Sequence, residues 1–299
     1  MNVLSLFDGM SCGQIALSRA GIEVDNYYAS ELDKYAIKVT QANWPETVQL
    51  GDVTKWREWD IDWSSIDLLI GGSPCQGFSF AGKQLAFDDP RSALFFEYLN
   101  ILNHIKSVNP KVKFVLENVK MKKEYLELIS GFLKVAPVFI NSELVSAQCR
   151  KRYYWANWEF SAPEDKEIML EDITESGIVD RIKSHCIDAN YFKGGNLKSY
   201  FEKHRRQLIF FVGRGNNPQG FRAISGKTPA LSKSSWQHNN FLADKAGYRK
   251  LTPVECERLQ TVPDNYTNHV SSTQRYKILG NGWTVDVIAH IFRGMNENN

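Results

Sequence analysis

Residues 1–20 read MNVLSLFDGMSCGQIALSRA, and this stretch decides the fold. It begins with a short apolar run at residues 2–7, which has the length and composition of a buried strand. Gly9 and Gly13 follow, and glycine permits the tight turn that must come next. Helical periodicity then begins at residues 14–20. The stretch therefore predicts a strand, a glycine-bearing turn and a helix, which together begin a βαβ unit.

The same alternation of short apolar runs and amphipathic stretches continues to about residue 158. Strands that alternate with helices in this way form a mostly parallel sheet with helices on its faces. We therefore predict an α/β fold with a doubly wound, mostly parallel, Rossmann-like sheet, whose ligands bind outside the carboxyl ends of the strands. The further predicted strands are residues 24–30, 66–71, 112–117, 138–145 and 153–158, and the further predicted helices are residues 34–43, 91–107 and 122–134.

A second and less regular region begins at about Ser161. The sequence becomes polar and rich in glycine, as in GRGNNPQG at residues 213–220, with one helical stretch near Tyr200. Helical periodicity returns in TPVECERLQTV, which Pro263 ends, and in the final TVDVIAHIFRGM. A smaller, irregular domain is therefore expected beside the sheet.

The composition excludes several classes of protein. Of the 299 residues, 43% are hydrophobic and 23% are charged, as in ordinary globular chains. The first residues lack a basic leader, and no stretch approaches the roughly 20 apolar residues that span a bilayer. Five scattered cysteines without a C-x-x-C pair predict reduced thiols, and dispersed histidines predict no metal. We expect a soluble, cytoplasmic protein with no membrane partner.

The net charge of +2 conceals a strong asymmetry along the chain. Residues 181–250 contain 14 Lys or Arg and 3 Asp or Glu, a net charge of +11, so the remaining residues carry −9. Such a concentration can be a solvated face. Beside aromatic residues and glycines it is typical of a surface that neutralises phosphates, and it favours nucleic acid as a partner.

Three features predict an adenosyl ligand at the carboxyl ends of the first strands. LFDGMSCG places glycines between strand and helix, but it is not the G-x-G-x-x-G of dinucleotide folds. Glu31 ends the second strand about 20 residues later, where an acid can accept hydrogen bonds from ribose hydroxyls. Asp52 ends the predicted third strand. Each acid alone is more often a cap or a surface charge.

Candidate catalytic groups follow the later strands. Cys75 lies in LLIGGSPCQGFSFAGK, after a buried strand and among glycines, which favours an exposed thiol over a small buried side chain. Glu117 ends another core strand and could hydrogen-bond a ring nitrogen. Arg150 and Arg152 alternate in QCRKRYYW on one face of a predicted strand, where each could also form an ordinary ion pair.

In order and spacing, these residues resemble the motifs of the cytosine-C5 DNA methyltransferases. The resemblance covers about residues 1–158 and 250–299. The compact chain resembles the bacterial and phage members, although its first and last motifs are similar to those of the vertebrate de novo branch. It implies the S-adenosylmethionine-dependent methyltransferase fold. The motifs are Phe7-Asp8-Gly9, Glu31, Asp52, Gly72-Ser73-Pro74-Cys75-Gln76, Glu117-Asn118-Val119, Gln148-Cys149-Arg150-Lys151-Arg152 and Gly280-Asn281.

The resemblance implies a role for each group. Cys75 would add to carbon 6 of cytosine, Glu117 would engage N3 and the exocyclic amine, and Arg152, with Arg150, would hold the base and Glu117. Carbon 5 would take its methyl group from S-adenosylmethionine, without a metal. The implied cofactor-binding residues are Phe7, Asp8, Gly9, Glu31, Leu32, Asp52, Val53, Pro74, Leu94, Asn281 and Trp283.

The resemblance also implies double-stranded DNA as substrate, with the base flipped out of the helix. Ser79 and Lys83 would contact phosphate, while Gln219 would fill the vacated stack and Arg222 would read guanine. Where the family usually has Thr-Leu after this loop, the chain has Ala230-Leu231. We expect a monomer with a catalytic domain of residues 1–160 and 272–299 and a target-recognition domain of residues 161–271.

Two other functions share features with this sequence. A tRNA cytosine methyltransferase would share the catalytic parts, but its relatives carry a Cys-Phe-Thr signature that this sequence lacks. A catalytically silent DNA-binding relative would usually have lost the nucleophile or the Glu-Asn-Val acid. Cys75, Glu117 and both arginines are present, so an active DNA enzyme is favoured.

Overall fold

A seven-stranded sheet lies at the centre of the computed structural model, which describes residues 1–73, 93–211 and 247–297. All neighbouring strands pair in parallel except β8, which runs antiparallel to β5 and β6 on its two sides. The predicted doubly wound, mostly parallel sheet is thereby confirmed. In spatial order the strands are β3 (Val48–Gln49), β2 (Asn26–Ser30), β1 (Asn2–Leu6), β4 (Leu68–Gly71), β5 (Lys113–Val119), β8 (Lys151–Ala156) and β6 (Val138–Asn141).

Helices bury both faces of the sheet because successive strand residues point to opposite faces. Val3 belongs to the core under α1, α2 and α9, whereas Leu4 belongs to the core under α3 and α4. The helix α9 lies against α1, and Arg19 on α1 forms an ion pair of 2.7 Å with Asp286 on α9. These helices are α1 (Cys12–Arg19), α2 (Lys34–Asn43), α3 (Ala93–Val108), α4 (Lys123–Leu133) and α9 (Val285–Glu297).

The less regular region contains short elements. β10 and β11 form an antiparallel pair, and β7 pairs with β9 in parallel. The helix α7 begins with Pro253 after a capping box, in which Thr252 and Glu255 satisfy each other's backbone N–H groups. The elements are β7 (Gln148–Cys149), α5 (Leu170–Ile173), β9 (Ser184–His185), α6 (Leu197–Lys203), β10 (Leu208–Phe211), β11 (Gly247–Lys250), α7 (Pro253–Leu259) and α8 (Ser272–Asn281).

Element boundaries differ from the sequence-based predictions in several places, three of which are strands described below. The strand predicted at 138–145 ends at Asn141, because the chain turns there into the 3-10 helix Ser142–Leu144. The third strand is only Val48–Gln49, and Asp52 caps the 3-10 helix Val53–Glu58 instead of ending a strand. The strand predicted at 153–158 occupies Lys151–Ala156.

Arg150 and Arg152 do not share one continuous strand. Arg150 lies between β7 and β8, and its carbonyl accepts a hydrogen bond of 3.0 Å from the backbone N–H of Ser142. The prediction of two arginines on one strand face was therefore wrong. The break sends the two side chains to different partners.

None of the helices in the described ranges has both the length and the hydropathy that crossing a bilayer requires.

Candidate active site

A cavity of about 480 Å³ opens at the carboxyl ends of β1, β2, β4 and β5. This is the edge at which ligands of doubly wound sheets bind. The structure brings together here every predicted site residue that it describes. They are Phe7, Asp8, Gly9, Glu31, Leu32, Asp52, Val53, Leu94, Glu117, Arg150, Arg152, Asn281 and Trp283.

The remaining predicted residues lie outside the described ranges. The nucleophile candidate Cys75 and the cofactor candidate Pro74 are among them. The four candidates for DNA contact also lie there, and they are Ser79, Lys83, Gln219 and Arg222. So does Ala230, at which the sequence departs from the family pattern.

The loop after β1 has an unusual backbone. Phe7 and Ser11 have φ angles of 59° and 58°, in the left-handed region that non-glycine residues rarely adopt, and Gly9 has a φ of 63°. Backbone strain of this kind persists only where the surroundings impose it. The positive φ angles therefore indicate that neighbouring residues hold this loop in its conformation.

The carboxylate of Asp8 provides much of that restraint. It accepts hydrogen bonds from the Ser11 hydroxyl and, at 2.7 Å, from the Tyr27 hydroxyl on the neighbouring strand β2. Burial raises the pKa of Asp8 to about 6, although its hydroxyl partners lower it. Asp8 therefore links the loop to β2 and titrates close to neutrality.

Glu31 organises the same loop from the end of β2. Its Oε2 accepts the backbone N–H of Gly9, and its Oε1 accepts those of Leu32 and Asp33, all at 2.8 Å. A carboxylate has about four acceptor positions, so a position remains for a ligand hydroxyl. The side chain of Leu32, 68% exposed, provides apolar surface at the mouth of the cavity.

Asp52 lines the cavity beside the end of β2, where the Ser30 hydroxyl donates to the carbonyl of Gly51 at 2.7 Å. Its Oδ1 accepts hydrogen bonds from the backbone N–H and the hydroxyl of Thr54, at 2.9 and 2.8 Å. These bonds lower the pKa of Asp52. The carboxylate is therefore an anion at neutral pH, suited to accept hydrogen bonds from a polar ligand.

Glu117 also lines the cavity, and each of its carboxylate oxygens has a polar partner. Arg152 Nε lies 2.7 Å from Oε1, and the indole Nε1 of Trp283 donates to Oε2 at 3.2 Å. The two charged side chains are only 12% and 15% exposed. Ion pairs of this kind are screened less than surface pairs, so the carboxylate is firmly oriented.

Arg150 faces a different set of partners. Its guanidinium donates to the backbone carbonyls of Gly282 at 2.9 Å and Ile187 at 3.2 Å, and it reaches that of Gly280 at 3.4 Å. It is 4% exposed and also contacts the Cys186 sulfur at 3.3 Å. Arg150 therefore binds the segment that carries Asn281 and Trp283 into the site.

Gln260 is a functional candidate that the sequence analysis missed. It is fully buried, and its Nε2 donates to the carbonyls of Leu279 at 2.7 Å and Gly282 at 3.0 Å. Its Oε1 accepts from Gln148 at 2.9 Å and Thr284 at 3.0 Å. The only local signal was an amide at the end of the helical pattern TPVECERLQTV, which is also common on solvated surfaces.

Tyr27 was missed for a similar reason, and Gly72 was named in a motif but its contact was not predicted. Tyr27 looks like an ordinary strand residue until its hydroxyl meets Asp8. At Gly72, a Cβ would lie 2.9 Å from both Glu117 Oε2 and Trp283 Nε1. That separation is closer than real Cβ contacts, so glycine at this position leaves room for the Glu117–Trp283 hydrogen bond.

Within the described parts of the chain, no three His, Cys, Asp or Glu side chains are grouped so that they could hold a metal ion.

Comparison with known proteins gives concordant results. The family described as C-5 cytosine-specific DNA methylase matches residues 1–127 and 148–297. Type II methyltransferase M1.ScrFI of Lactococcus lactis subsp. cremoris is 31% identical, over 99% of this chain and 78% of its own length. Type II methyltransferase M.HhaI of Haemophilus parahaemolyticus is 30% identical, over 97% of this chain and 93% of its own length.

Solved structures show the same fold at lower identity. The methyltransferase EhMeth of Entamoeba histolytica superposes with a TM-score of 0.67 at 17% identity, over 100% of this chain and 98% of its own. A variant of Spodoptera frugiperda DNMT2 superposes with a TM-score of 0.64 at 20% identity, over 99% of both chains.

Proposed function

The chain belongs to the family of C-5 cytosine-specific DNA methylases, and from that premise we propose its substrates, its cofactor site and its catalytic residues. It is a DNA (cytosine-5-)-methyltransferase, and it methylates a flipped-out cytosine in a specific sequence of double-stranded DNA through a covalent adduct of Cys75. The observation that carries the assignment of residues is the single cavity that joins Glu31 and Asp52 to the Glu117–Arg152 pair.

S-adenosylmethionine fits the cofactor end of this cavity. A volume of about 480 Å³ is within the range of small-molecule sites, roughly 300 to 1,000 Å³. Glu31 keeps an acceptor position for a ribose hydroxyl, Asp52 is anionic at the rim, and Leu32 offers apolar surface for a base. When bound there, the cofactor supplies the methyl group that carbon 5 of cytosine accepts.

The chain's own residues activate the base. Carbon 5 of cytosine is a poor nucleophile, so the Cys75 thiolate forms a bond to carbon 6 and moves the electrons of the 5,6 double bond toward carbon 5. A proton shared between Glu117 and N3 neutralises the charge that develops in the ring, and the same carboxyl group accepts a hydrogen bond from the exocyclic amine. After methylation, loss of the carbon 5 proton restores the double bond and expels Cys75 as a thiolate.

The two arginines have different roles. Arg152 pairs with Glu117 Oε1 and orients the carboxylate toward the base. Arg150 is a positioning residue, because its guanidinium holds the backbone around Asn281 and Trp283 and has its donors directed to carbonyls. Phe7, Asp8, Gly9, Val53, Pro74 and Leu94 complete the cofactor pocket, in which neither the donor set nor the mechanism calls for a metal.

Residues 161–271 form the target-recognition domain, and residues 1–160 and 272–299 form the catalytic domain. Lys193, Lys198, Lys203 and Arg205 are exposed in the recognition domain, and they supply positive charge for phosphates. Ser79 and Lys83 contact the DNA backbone, Gln219 fills the space of the flipped base and Arg222 reads guanine.

The enzyme acts as a monomer in the cytoplasm of a bacterial or phage-infected cell, as the modification component of a restriction-modification system. Its relatives named as Type II methyltransferases come from bacteria, which supports this proposal.

The decisive experiment uses tritiated S-adenosylmethionine and random-sequence DNA duplexes that contain 5-fluorocytosine. The fluorine cannot leave as a proton does, so the covalent adduct accumulates and survives denaturing electrophoresis. We expect a labelled adduct with the wild type and none with Cys75→Ser. Absence of label on DNA, together with methylation of a tRNA pool in a parallel reaction, would overturn the proposal.

A further inference from the structure

We propose that Trp283 is a positioning residue for the Glu117 carboxylate, in addition to lining the cofactor cavity. This inference rests on the proposed function, because it concerns how Glu117 is presented to cytosine. Its basis is the pair of contacts on Glu117: the ion pair with Arg152, whose Nε lies 2.7 Å from Oε1, and the hydrogen bond from the indole Nε1 of Trp283 to Oε2 at 3.2 Å. Contacts at both oxygens restrain the rotation of a carboxylate more than a contact at one oxygen does.

A glycine directly after β4 leaves room for the hydrogen bond between Trp283 and Glu117. Gly72 directly follows β4, and a Cβ there would lie 2.9 Å from both Glu117 Oε2 and Trp283 Nε1. Real Cβ atoms essentially never approach other atoms below 3.0 Å. A side chain at residue 72 would therefore force one or both groups to shift from the positions in which they are hydrogen-bonded. Glycine here is required by the hydrogen bond and not by a turn.

Contacts to the backbone of residues 282 and 283 fix the position of the indole. The Cys12 thiol lies 3.7 Å from the carbonyl of Trp283, and Arg150 and Gln260 both donate to the carbonyl of Gly282, at 2.9 and 3.0 Å. Arg150 and Gln260 are almost completely buried. Since these contacts fix the backbone on both sides of the ring, the indole N–H is preorganised before any ligand arrives.

Trp283 also lines the wall of the cofactor cavity, which extends from Glu31 to Glu117. One rigid side chain therefore contacts both the region of the methyl donor and the carboxylate that engages the base. The distance between the cofactor cavity and the Glu117 carboxylate is therefore fixed by Trp283. Methyl transfer between two bound substrates requires such a fixed distance.

The test is Trp283→Phe, which keeps an aromatic ring in the cavity wall and removes the N–H. We expect kcat to fall about tenfold, the usual effect of losing one hydrogen bond to a charged group. KM for S-adenosylmethionine and for DNA should stay within about twofold, since the ring is retained. An unchanged kcat, or a rise in the cofactor KM alone, would overturn the proposal.

Trp158→Phe is the matched control. Trp158 Nε1 donates to the carbonyl of Ile291 at 2.9 Å, outside the active-site cavity. Its substitution removes an indole hydrogen bond of the same kind, and kcat should be unchanged within about twofold. An equal loss of kcat in both variants would show a general structural effect and contradict the positioning role.

A double-mutant cycle separates action through Glu117 from any independent effect. In a Glu117→Gln background, Trp283→Phe should lower kcat by less than about twofold, because the carboxylate through which it acts is gone. A full additional tenfold loss would contradict the inference. A crystal structure of Trp283→Phe gives a readout that does not depend on methyl transfer: we expect Glu117 in more than one orientation, and a single unchanged orientation would overturn the inference even if the proposed function failed.

Discussion

The guanidinium of Arg150 lies 2.9 Å from the carbonyl oxygen of Gly282, although the two residues are 132 positions apart in the chain. The same group reaches the carbonyls of Gly280 and Ile187, and Arg150 is 4% exposed. A buried cation thus connects the chain before β8 to the loop between α8 and α9. Through this connection, Asn281 and Trp283 are held in the wall of the catalytic cavity.

Arg150→Lys should destabilise the protein while keeping the positive charge. A lysine ammonium lacks the planar set of donors that serves several carbonyls at once, so at least one buried carbonyl loses its partner. We expect the free energy of unfolding to fall by about 2 kcal/mol, measured by urea denaturation. Affinity for S-adenosylmethionine should fall as well. Wild-type stability in this variant would contradict the structural role of Arg150.

Gly72→Ala should impair catalysis through a single methyl group. The added Cβ would lie 2.9 Å from Glu117 Oε2 and from Trp283 Nε1, so at least one of these groups must shift, and we expect their hydrogen bond to weaken. A fall in kcat of about tenfold is expected in steady-state methylation assays. Gly131→Ala in α4 is the control, since a Cβ there meets nothing within 4 Å. That variant should keep full activity and gain about 0.5 to 1 kcal/mol in stability.

Glu31→Gln should weaken cofactor binding more than catalysis. In the variant, an NH2 group replaces one carboxylate oxygen and cannot accept a hydrogen bond. The side chain therefore loses either the bond from the Gly9 N–H or the bonds from the N–H groups of Leu32 and Asp33. Calorimetry should show S-adenosylmethionine affinity reduced by about tenfold or more, since bonds to a charged acceptor are lost. Glu46→Gln, at an exposed position before β3, should bind as the wild type does. Equal affinities for the two variants would exclude Glu31 from the cofactor site.

The stability of the protein should depend on pH through Asp8. Burial raises its pKa to about 6 in the folded state, above the ordinary value of 3.8. The native state therefore binds this proton more tightly than the unfolded state, and its contribution is complete below about pH 4 and lost as the pH rises through 6. Relative to Asp8→Asn, the wild type should lose roughly 2 to 3 kcal/mol across this window.

Urea denaturation of both proteins between pH 4 and pH 7.5 measures this difference. The wild-type free energy of unfolding should decline relative to that of Asp8→Asn as the pH increases. Parallel curves across the range would show that the Asp8 carboxyl does not titrate in this window. Because Asp8 holds the strained loop between Phe7 and Ser11, cofactor affinity in Asp8→Asn should fall at every pH.

Local sequence patterns predicted most of the sheet and its helices. Apolar runs bounded by glycine or polar residues mark strands because their side chains are buried on both faces of a parallel sheet. Helix α2 occupies Lys34–Asn43, the predicted range, since Asp33 caps its first turn and its apolar residues recur at helical spacing. The strand predicted to reach residue 145 ends at Asn141. There three polar residues, Asn141, Ser142 and Glu143, interrupt the apolar run, and the chain turns into a 3-10 helix instead of continuing the ladder.

The sequence also determined which residues gather at the cavity, from Phe7 and Glu31 to Glu117, because parallel strands bring their carboxyl ends to one edge. The tertiary structure alone decided what those residues do to one another. Three sets of hydrogen bonds join groups from separate elements. Trp283 donates to Glu117, Arg150 and Gln260 donate to the carbonyl of Gly282, and Tyr27 donates to Asp8. Periodicity reports which face of an element is buried, but partners across a core are selected by packing, which no local pattern encodes.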